Sequence, residues 1–417
     1  MPSSLHTHSY MSLLDGFSSP EENLKRASEL GLKAIAITEH GEVTSWPYYS
    51  ELKDKYPNVK LLYGIEAYEC EDKEVKDKNS KYWHLIIIAK NEAGRQAVNR
   101  LSTLGHLHGF YSRPRITKED IAKEDTNNLI ILSACLASRL SRTDDYDTCV
   151  KLVQEYKSLF PHYYLEVQAH ANSEQAKYNQ KIMRLANDTH TKVVVTNDVH
   201  AATKEDLYYQ DYFLRIAHDT ETAAEIYEGC YFMSREEQHE VLDGQIGYDA
   251  AEWCINNTDE VADLCDYVDM PWHEPEPPKI EIPPQYSNSA AYLKDLVKEG
   301  WKKRGIDKFY VEKQKIYRKR VDDELFVIEK KDFCDYFLIL VDYINWCKKN
   351  DVIVGPGRGS AAGSLVCYLI GITQLDSIKY ELDFGRFLTI ERKDLPDVDV
   401  DVSDRAKVVE YLTQKYG

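Results

Sequence analysis

The sequence predicts an α/β fold for the first two thirds of the chain, and three observations carry that reading. Short runs rich in Ile, Val and Leu at 34–38, 60–64, 85–89, 129–133, 163–167 and 193–196 have the length of buried strands. Helical patterns, notably at 148–159 and 173–187, separate several of them, as in parallel β/α architecture. Four of the runs lead into a His, Glu, Cys or Asp at the end where β/α barrels assemble their sites.

In chain order, the stretch LHTHSYMSLLDG (5–16) comes first. His6 and His8 stand two apart, so on an extended backbone both rings point to one face, and Asp15 follows beyond a Leu-Asp-Gly turn. Ser19-Pro20-Glu21-Glu22 starts a helix with a capping serine, a proline in the first turn and acids at the positive end of the dipole. Leu24, Ala27 and Leu30 form its apolar face, and Gly31 ends it. The strand at 34–38 delivers His40, the strand at 60–64 delivers Glu66, and the strand at 129–133 leads to Cys135. The run at 163–167 leads towards His170, and 193–196 ends at Asp198 and His200. His84 is an exception, because it precedes its strand.

His6, His8, Asp15, His40, Glu66, His84, Cys135, Asp198 and His200 are thus candidate ligands. One tetrahedral zinc takes four, so such a set implies two or three ions. Clustered divalent ions lower the pKa of bound water to about 7 and clamp the attacking and leaving oxygens of a phosphoester. Imidazole, carboxylate and thiolate together suit zinc or manganese better than magnesium. Singly, each residue also has an ordinary role: His40 as a turn cap, Cys135 as core, Asp198 as an Asx turn.

The net charge of −18 is uneven: residues 1–270 hold 45 acidic and 28 basic side chains, and the remainder is nearly balanced. The first part therefore lacks the basic surface of a nucleic-acid clamp. No apolar run of about 18 residues crosses a membrane, the N-terminus lacks the pattern of a signal peptide, and the nine cysteines show no C-x-x-C pair. A cytoplasmic protein is expected.

Six prolines in 271–284 mark a stiff linker, assigned to 271–287, and the clearest domain boundary. Beyond it, 302–320 carries nine Lys/Arg, which suit either phosphates or a solvated helix face. A helix is expected at 336–349 and a short strand at 352–354, running into Gly355-Pro356-Gly357-Arg358-Gly359-Ser360-Ala361-Ala362-Gly363-Ser364. This loop lacks the lysine of a Walker motif. Its glycines and serines, with a helix N-terminus behind them, suit a polyphosphate as well as a tight packed turn. In Asp397-Val398-Asp399-Val400-Asp401-Val402, alternation puts three aspartates on one strand face, where they repel unless cations lie between them.

Taken in order, HTHSYMSLLDG, AITEHG, GIEAY, WHLIIIAKNEAG, SACLAS and TNDVH resemble the motifs of the polymerase and histidinol phosphatase (PHP) domain. The likeness is closest to the PHP domain of the C-family replicative polymerases, the bacterial DNA polymerase III alpha type, and GFYSRPRI (109–116) fits that family too. The resemblance implies a distorted (β/α) barrel over 1–270 and makes the nine residues its metal ligands, with Glu39 standing where the family usually has Asp. GPGRGSAAGSLVCYLIGIT and RFLTIERKDLPDVDVDV resemble the first segment of the same family's palm, a partial mixed α/β domain over 288–417. That implies nucleotide contacts from Gly359, Ser360, Gly363, Ser364, Arg386 and Arg392, and catalytic magnesium at Asp399 and Asp401. Val402 replaces a usual phenylalanine, and Lys393-Asp394-Leu395 departs from usual small and apolar residues.

The resemblance implies part of a DNA-directed DNA polymerase with a metal-dependent 3′–5′ exonuclease, taking dNTPs and primer-template DNA. Its partners would be the family's C-terminal portion, a sliding clamp and a proofreading subunit. Thumb, fingers and a third palm aspartate do not appear within 417 residues. This fits either a cut piece or a split-gene product, and polymerisation is not expected from this chain alone. Two other readings remain: a stand-alone PHP phosphoesterase on a small molecule, and a non-catalytic metal-stabilised scaffold for replisome partners.

Overall fold

Eight strands form one sheet in the first part of the chain: β1 (Ala34–Ile37), β2 (Lys60–Glu69), β3 (Trp83–Ala89), β4 (Phe110–Tyr111), β5 (Arg113–Ile116), β6 (Leu129–Leu132), β7 (Tyr163–Gln168) and β8 (Val193–Thr196). The computed structural model describes residues 3–78, 80–218, 227–270, 278–391 and 396–416, in two units, Met1–Pro271 and Trp272–Gly417. The strand order is β4-β5-β2-β3-β6-β7-β8, with β1 paired to the first half of β2. Residues 4–8 join the two ends. Ser4 and Thr7 exchange backbone hydrogen bonds with β1 and Thr38, while His6 and His8 do so with Val199 beyond β8.

Both faces of this curled sheet are apolar, which is why the strands read as continuous hydrophobic runs. Ala34, Ala36, Leu62, Ile86, Ile88, Ile130, Leu132 and Val194 fill the inside with Leu5, and the helix Tyr248–Leu264 adds Val261 and Ala262. The alternate residues Ile35, Ile37, Leu61, Ile87, Ile131 and Val195 pack outward in the larger core with the covering helices. The helix Pro20–Glu29 begins with the expected cap: Ser19 and Glu22 close a reciprocal capping box, and Gly31 at φ +65° follows its end.

Two strands differ from expectation. β2 runs on to Glu69, so Glu66 lies within the strand and not past its end. β3 is antiparallel to both β2 and β6. Its first residues therefore lie level with the C-terminal ends of its neighbours, which explains why His84 precedes its strand.

Among the described residues, the second unit is built from the helices Ser289–Lys303, Val311–Lys330, Cys334–Lys349, Leu365–Leu369 and Arg405–Tyr416 around one core. Gly300 lets the first approach the fourth, since a Cβ there would stand 2.1 Å from Leu369 O. The expected strands at 352–354 and 397–402 reduce to a single antiparallel bridge, Val354 with Val402. Pro356 offers no N–H, and Gly357 at φ +104° turns the chain away, so a ladder cannot continue. Two arginines of the basic stretch are structural: Arg304 donates to the carbonyls of Tyr368 and Thr373, and Arg320 to those of Gly363 and Leu382.

At the centre of this unit lies Glu324, fully buried. Its carboxylate accepts from the Leu365 and Val366 amides, each at 2.9 Å, the Ser364 hydroxyl at 2.8 Å and Arg320 Nε at 2.6 Å. Glu324→Ala strands these donors in the interior, and the unit should lose about 3 kcal/mol. Urea denaturation measures it. An unchanged midpoint would mean that water can replace the carboxylate.

Candidate metal centre

The period-two geometry of the strands decides which side chains reach the open end of the barrel. His6 and His8 enter from the closing segment, His40 from beyond β1, Glu66 and His84 from β2 and β3, Cys135 from beyond β6, and Asp198 and His200 from beyond β8. Ligand-type atoms of His6, His8 and Asp198 lie within 4.8 Å of one another, as do those of His8, His40 and His200, and of His40, Glu66 and His84. Asp15 Oδ2 joins at 2.8 Å from His40 Nε2 and 3.4 Å from His200 Nε2. The Cys135 sulfur joins at 3.6 Å from His84 Nδ1 and 3.8 Å from Glu66 Oε1. All nine residues singled out in the sequence therefore meet in one place.

The hydrogen bonds around the cluster fix how three of the rings present themselves. His6 Nδ1 lies 2.9 Å from Glu166 Oε1, and His200 Nδ1 lies 2.7 Å from the Asp198 carbonyl. Both partners only accept, so both Nδ1 atoms carry hydrogen. His8 Nδ1 lies 2.9 Å from the Ser12 hydroxyl, which itself donates to Glu39 Oε2 at 2.5 Å and so must accept from the ring. In each case Nε2 faces the centre, the orientation that outer partners impose on metal-binding histidines. The Tyr227 hydroxyl likewise donates to Asp15 Oδ1 at 2.7 Å.

The Nε2 atoms of His6, His8 and His200, with Glu66 Oε2 and Asp198 Oδ1, are buried and have no hydrogen-bond partner. One such atom costs about 1–3 kcal/mol, so a cluster of them is a poor apolar core. Divalent cations satisfy all of them at once, and the donor set fits such ions. Charge coupling agrees. Burial pushes His8 down to about 3, with His40 and His200 adding to the effect. Burial also opposes charge on His40, but Glu66 and Asp15 outweigh it and hold the ring up to about 9. Burial, then the charges of Asp198 and Glu66, raise the Cys135 thiol.

Glu166 was not among the residues chosen from the sequence. Its signal was an acid inside an otherwise apolar strand, and it also accepts from Thr196 Oγ1 at 2.6 Å and Gln168 Nε2 at 3.0 Å. His170 is buried with Nε2 2.8 Å from the Asn197 carbonyl, outside the nine.

In the second unit, Gly359 at φ +63° sits against the aspartates: a Cβ there would stand 3.0 Å from Asp399 Oδ2. Ser360 is exposed beside it. Arg358 spans the aspartate pair, 3.0 Å from Asp399 Oδ1 and 3.2 Å from Asp401 Oδ1, where repulsion alone was expected. Ser364 corrects another expectation. It is fully buried, caps Cys367 N at 3.0 Å and donates to Glu324, so neither it nor the helix N-terminus behind it is open to a phosphate. Gly363 is buried under the Asp383 carbonyl. Arg386 is exposed in the turn Phe384–Arg386, and Arg392 lies outside the described residues.

Comparison with known proteins matches two stretches of the chain. Residues 4–170 match the PHP domain, and residues 291–417 match the bacterial DNA polymerase III alpha NTPase domain. The first stretch is thus similar to PHP domains and the second to a segment of that polymerase subunit. In particular, the chain is similar along 99% of its length to DNA polymerase III subunit alpha of Aquifex aeolicus (35% identical) and of Treponema pallidum (34% identical). It spans 37% and 36% of those relatives' lengths.

In chelated protein, the pairing of His40 with Glu66 and Asp15 stabilises fully below pH about 6.5 and is lost as pH rises through about 9. Metal reverses this sign, because binding expels the competing protons and tightens as pH rises. Melting curves between pH 6 and 9, with and without manganese, should therefore slope in opposite directions, and parallel slopes would refute the cluster as a metal centre. Asp401→Asn should change stability by less than about 0.5 kcal/mol, since Arg358 and both aspartates are substantially exposed. Urea titration checks it.

Proposed function

We propose that residues 1–270 form a PHP phosphoesterase with 3′–5′ exonuclease activity and that, past the linker at 271–287, residues 288–417 form the first segment of a replicative polymerase palm. The observation that carries the first half is the convergence of nine ligand-type side chains at the open end of one barrel, several of them presenting buried atoms with no hydrogen-bond partner. His6, His8, Asp15, His40, Glu66, His84, Cys135, Asp198 and His200 would hold two or three ions, zinc or manganese by donor type. Such ions supply a water acidic enough to attack a phosphodiester near neutral pH. The chain's own part is orientation. Glu166, Ser12 and the Asp198 carbonyl hold three imidazoles with Nε2 inward, and Tyr227 holds Asp15.

The names of the relatives support the second half. Asp399 and Asp401 would bind magnesium, with Gly359, Ser360, Arg386 and Arg392 nearest the dNTP phosphates. Arg358 would then leave the aspartates, at a cost of at most about 1 kcal/mol for so exposed a pair. Primer-template DNA, a clamp and a proofreading subunit are the partners this reading implies. A small-molecule phosphoesterase would have no need of a second carboxylate pair.

Elemental analysis after refilling with manganese or zinc should find two or three ions per chain, and none would sink the proposal. His40→Ala should lower release of nucleotides from a 3′-mismatched primer by at least about a hundredfold. Unchanged release would assign the activity to a contaminant.

A further inference from the structure

A groove of about 550 Å3 leads away from the metal cluster on the side of Asp15, His40 and His84. Six aromatic rings line it, beside the aliphatic Met11, Leu13 and Leu14. Tyr82 and Phe110 line it with 40% and 52% of their surface exposed, although both are large hydrophobic side chains with no need to face water. Tyr68, by contrast, is 4% exposed and forms the floor next to the cluster, its ring 6.1 Å from that of His40 and 5.3 Å from that of His84. Tyr82 stands edge-on to Tyr68 at 5.1 Å, and Phe110 stacks on His106 at 6.3 Å.

One cation sits in this groove, which also holds the carboxylates of Glu42 and Asp15: Arg113 lies 5.6 Å over Tyr68 and hydrogen-bonds Tyr82. The β4–β5 hairpin, turned by Ser112 at φ +59°, carries both Phe110 and Arg113 to this rim. Gly41 makes the approach possible: a Cβ there would stand 2.6 Å from Pro114 Cγ and 3.0 Å from the Tyr68 ring. A small phosphoester calls for an enclosed pocket with several convergent polar groups. An open channel with ring faces, one arginine and a hydrolytic centre at its end suits an unpaired strand whose bases stack and whose phosphate meets the cation.

The geometry points to this groove as the binding track for the unpaired 3′ end of single-stranded DNA, with Tyr82 and Phe110 as stacking platforms and Arg113 as the phosphate contact. Duplex is excluded by the same chemistry, because paired bases have no free faces to offer. The inference rests on the phosphoesterase reading for its purpose, but the binding itself does not need the metal.

Fluorescence anisotropy with a labelled pentathymidylate, on the full chain with chelator and again with manganese, tests it. Tyr82→Ala and Phe110→Ala should each weaken binding roughly tenfold, and Tyr82→Phe should restore it. Arg113→Gln should weaken binding and flatten the slope of log affinity against log salt by about 0.7. Hydrolysis of bis(p-nitrophenyl) phosphate is followed on the manganese-loaded parent chain, and the variants should take up as much manganese as it does. Affinities unaffected by the ring and arginine changes, no binding by the parent chain, or equal affinity for blunt duplex would each overturn the assignment. Failure of the loaded parent chain to hydrolyse the small ester would instead count against the phosphoesterase reading and leave the binding result to stand by itself.

Discussion

Closure of the sheet by residues 4–8 is the constraint on which the first unit depends. This short segment supplies the missing neighbour to β1 on one side and to the end of β8 on the other. Because its side chains alternate, the same register that buries Leu5 among the apolar residues inside the barrel turns His6 and His8 to the open end. A slip of one residue would exchange the apolar and imidazole faces. The backbone pairing therefore sets core and cluster together, and neither can be correct without the other.

The barrel also separates two environments that would otherwise conflict. The lower layer is dry, filled by Ile, Leu, Val and Ala, and each fully buried large side chain there contributes about 1.5–3 kcal/mol. The upper layer gathers acids and imidazoles out of water, where an isolated ion carries a penalty of several kcal/mol. That upper layer is tolerable because every charge has an oppositely charged neighbour or an oriented hydroxyl, as in the chain Glu39, Ser12, His8. In the second unit Glu324 does the comparable work alone, joining its own helix to the segment about 40 positions away around one carboxylate.

Most of the fold and nearly all of the cluster were legible in the sequence, because both rest on local periodicity. The H-x-H pair, the strand runs and the residues at their ends declare themselves within a few positions. What stayed hidden depends on distant partners. Glu166 meets His6 across 160 positions, and Ser364 is drawn inward by Glu324, 40 positions away, which no reading of the glycine loop could foresee. Arg358 was visible as a residue, but its place between Asp399 and Asp401 is set by the turn at Gly357 and Gly359. The reversal of β3 was hinted at by His84 alone, whose position at the start of a strand made sense only once that strand ran the other way.

The order in which these parts are synthesised differs from the order in which they can assemble. β2 and β3 pair as antiparallel neighbours joined by residues 70–82, consecutive in the chain, so they can form soon after emerging. Residues 4–8, in contrast, cannot complete their pairing until Val199 exists, and at about 5–20 residues per second on a ribosome that wait is on the order of 10–40 s. For that interval the barrel is an open trough whose edge offers unpaired backbone groups, and His6 and His8 hang free. His6 and His8 thus take their places beside Glu66 and Asp198 only once translation has passed Val199.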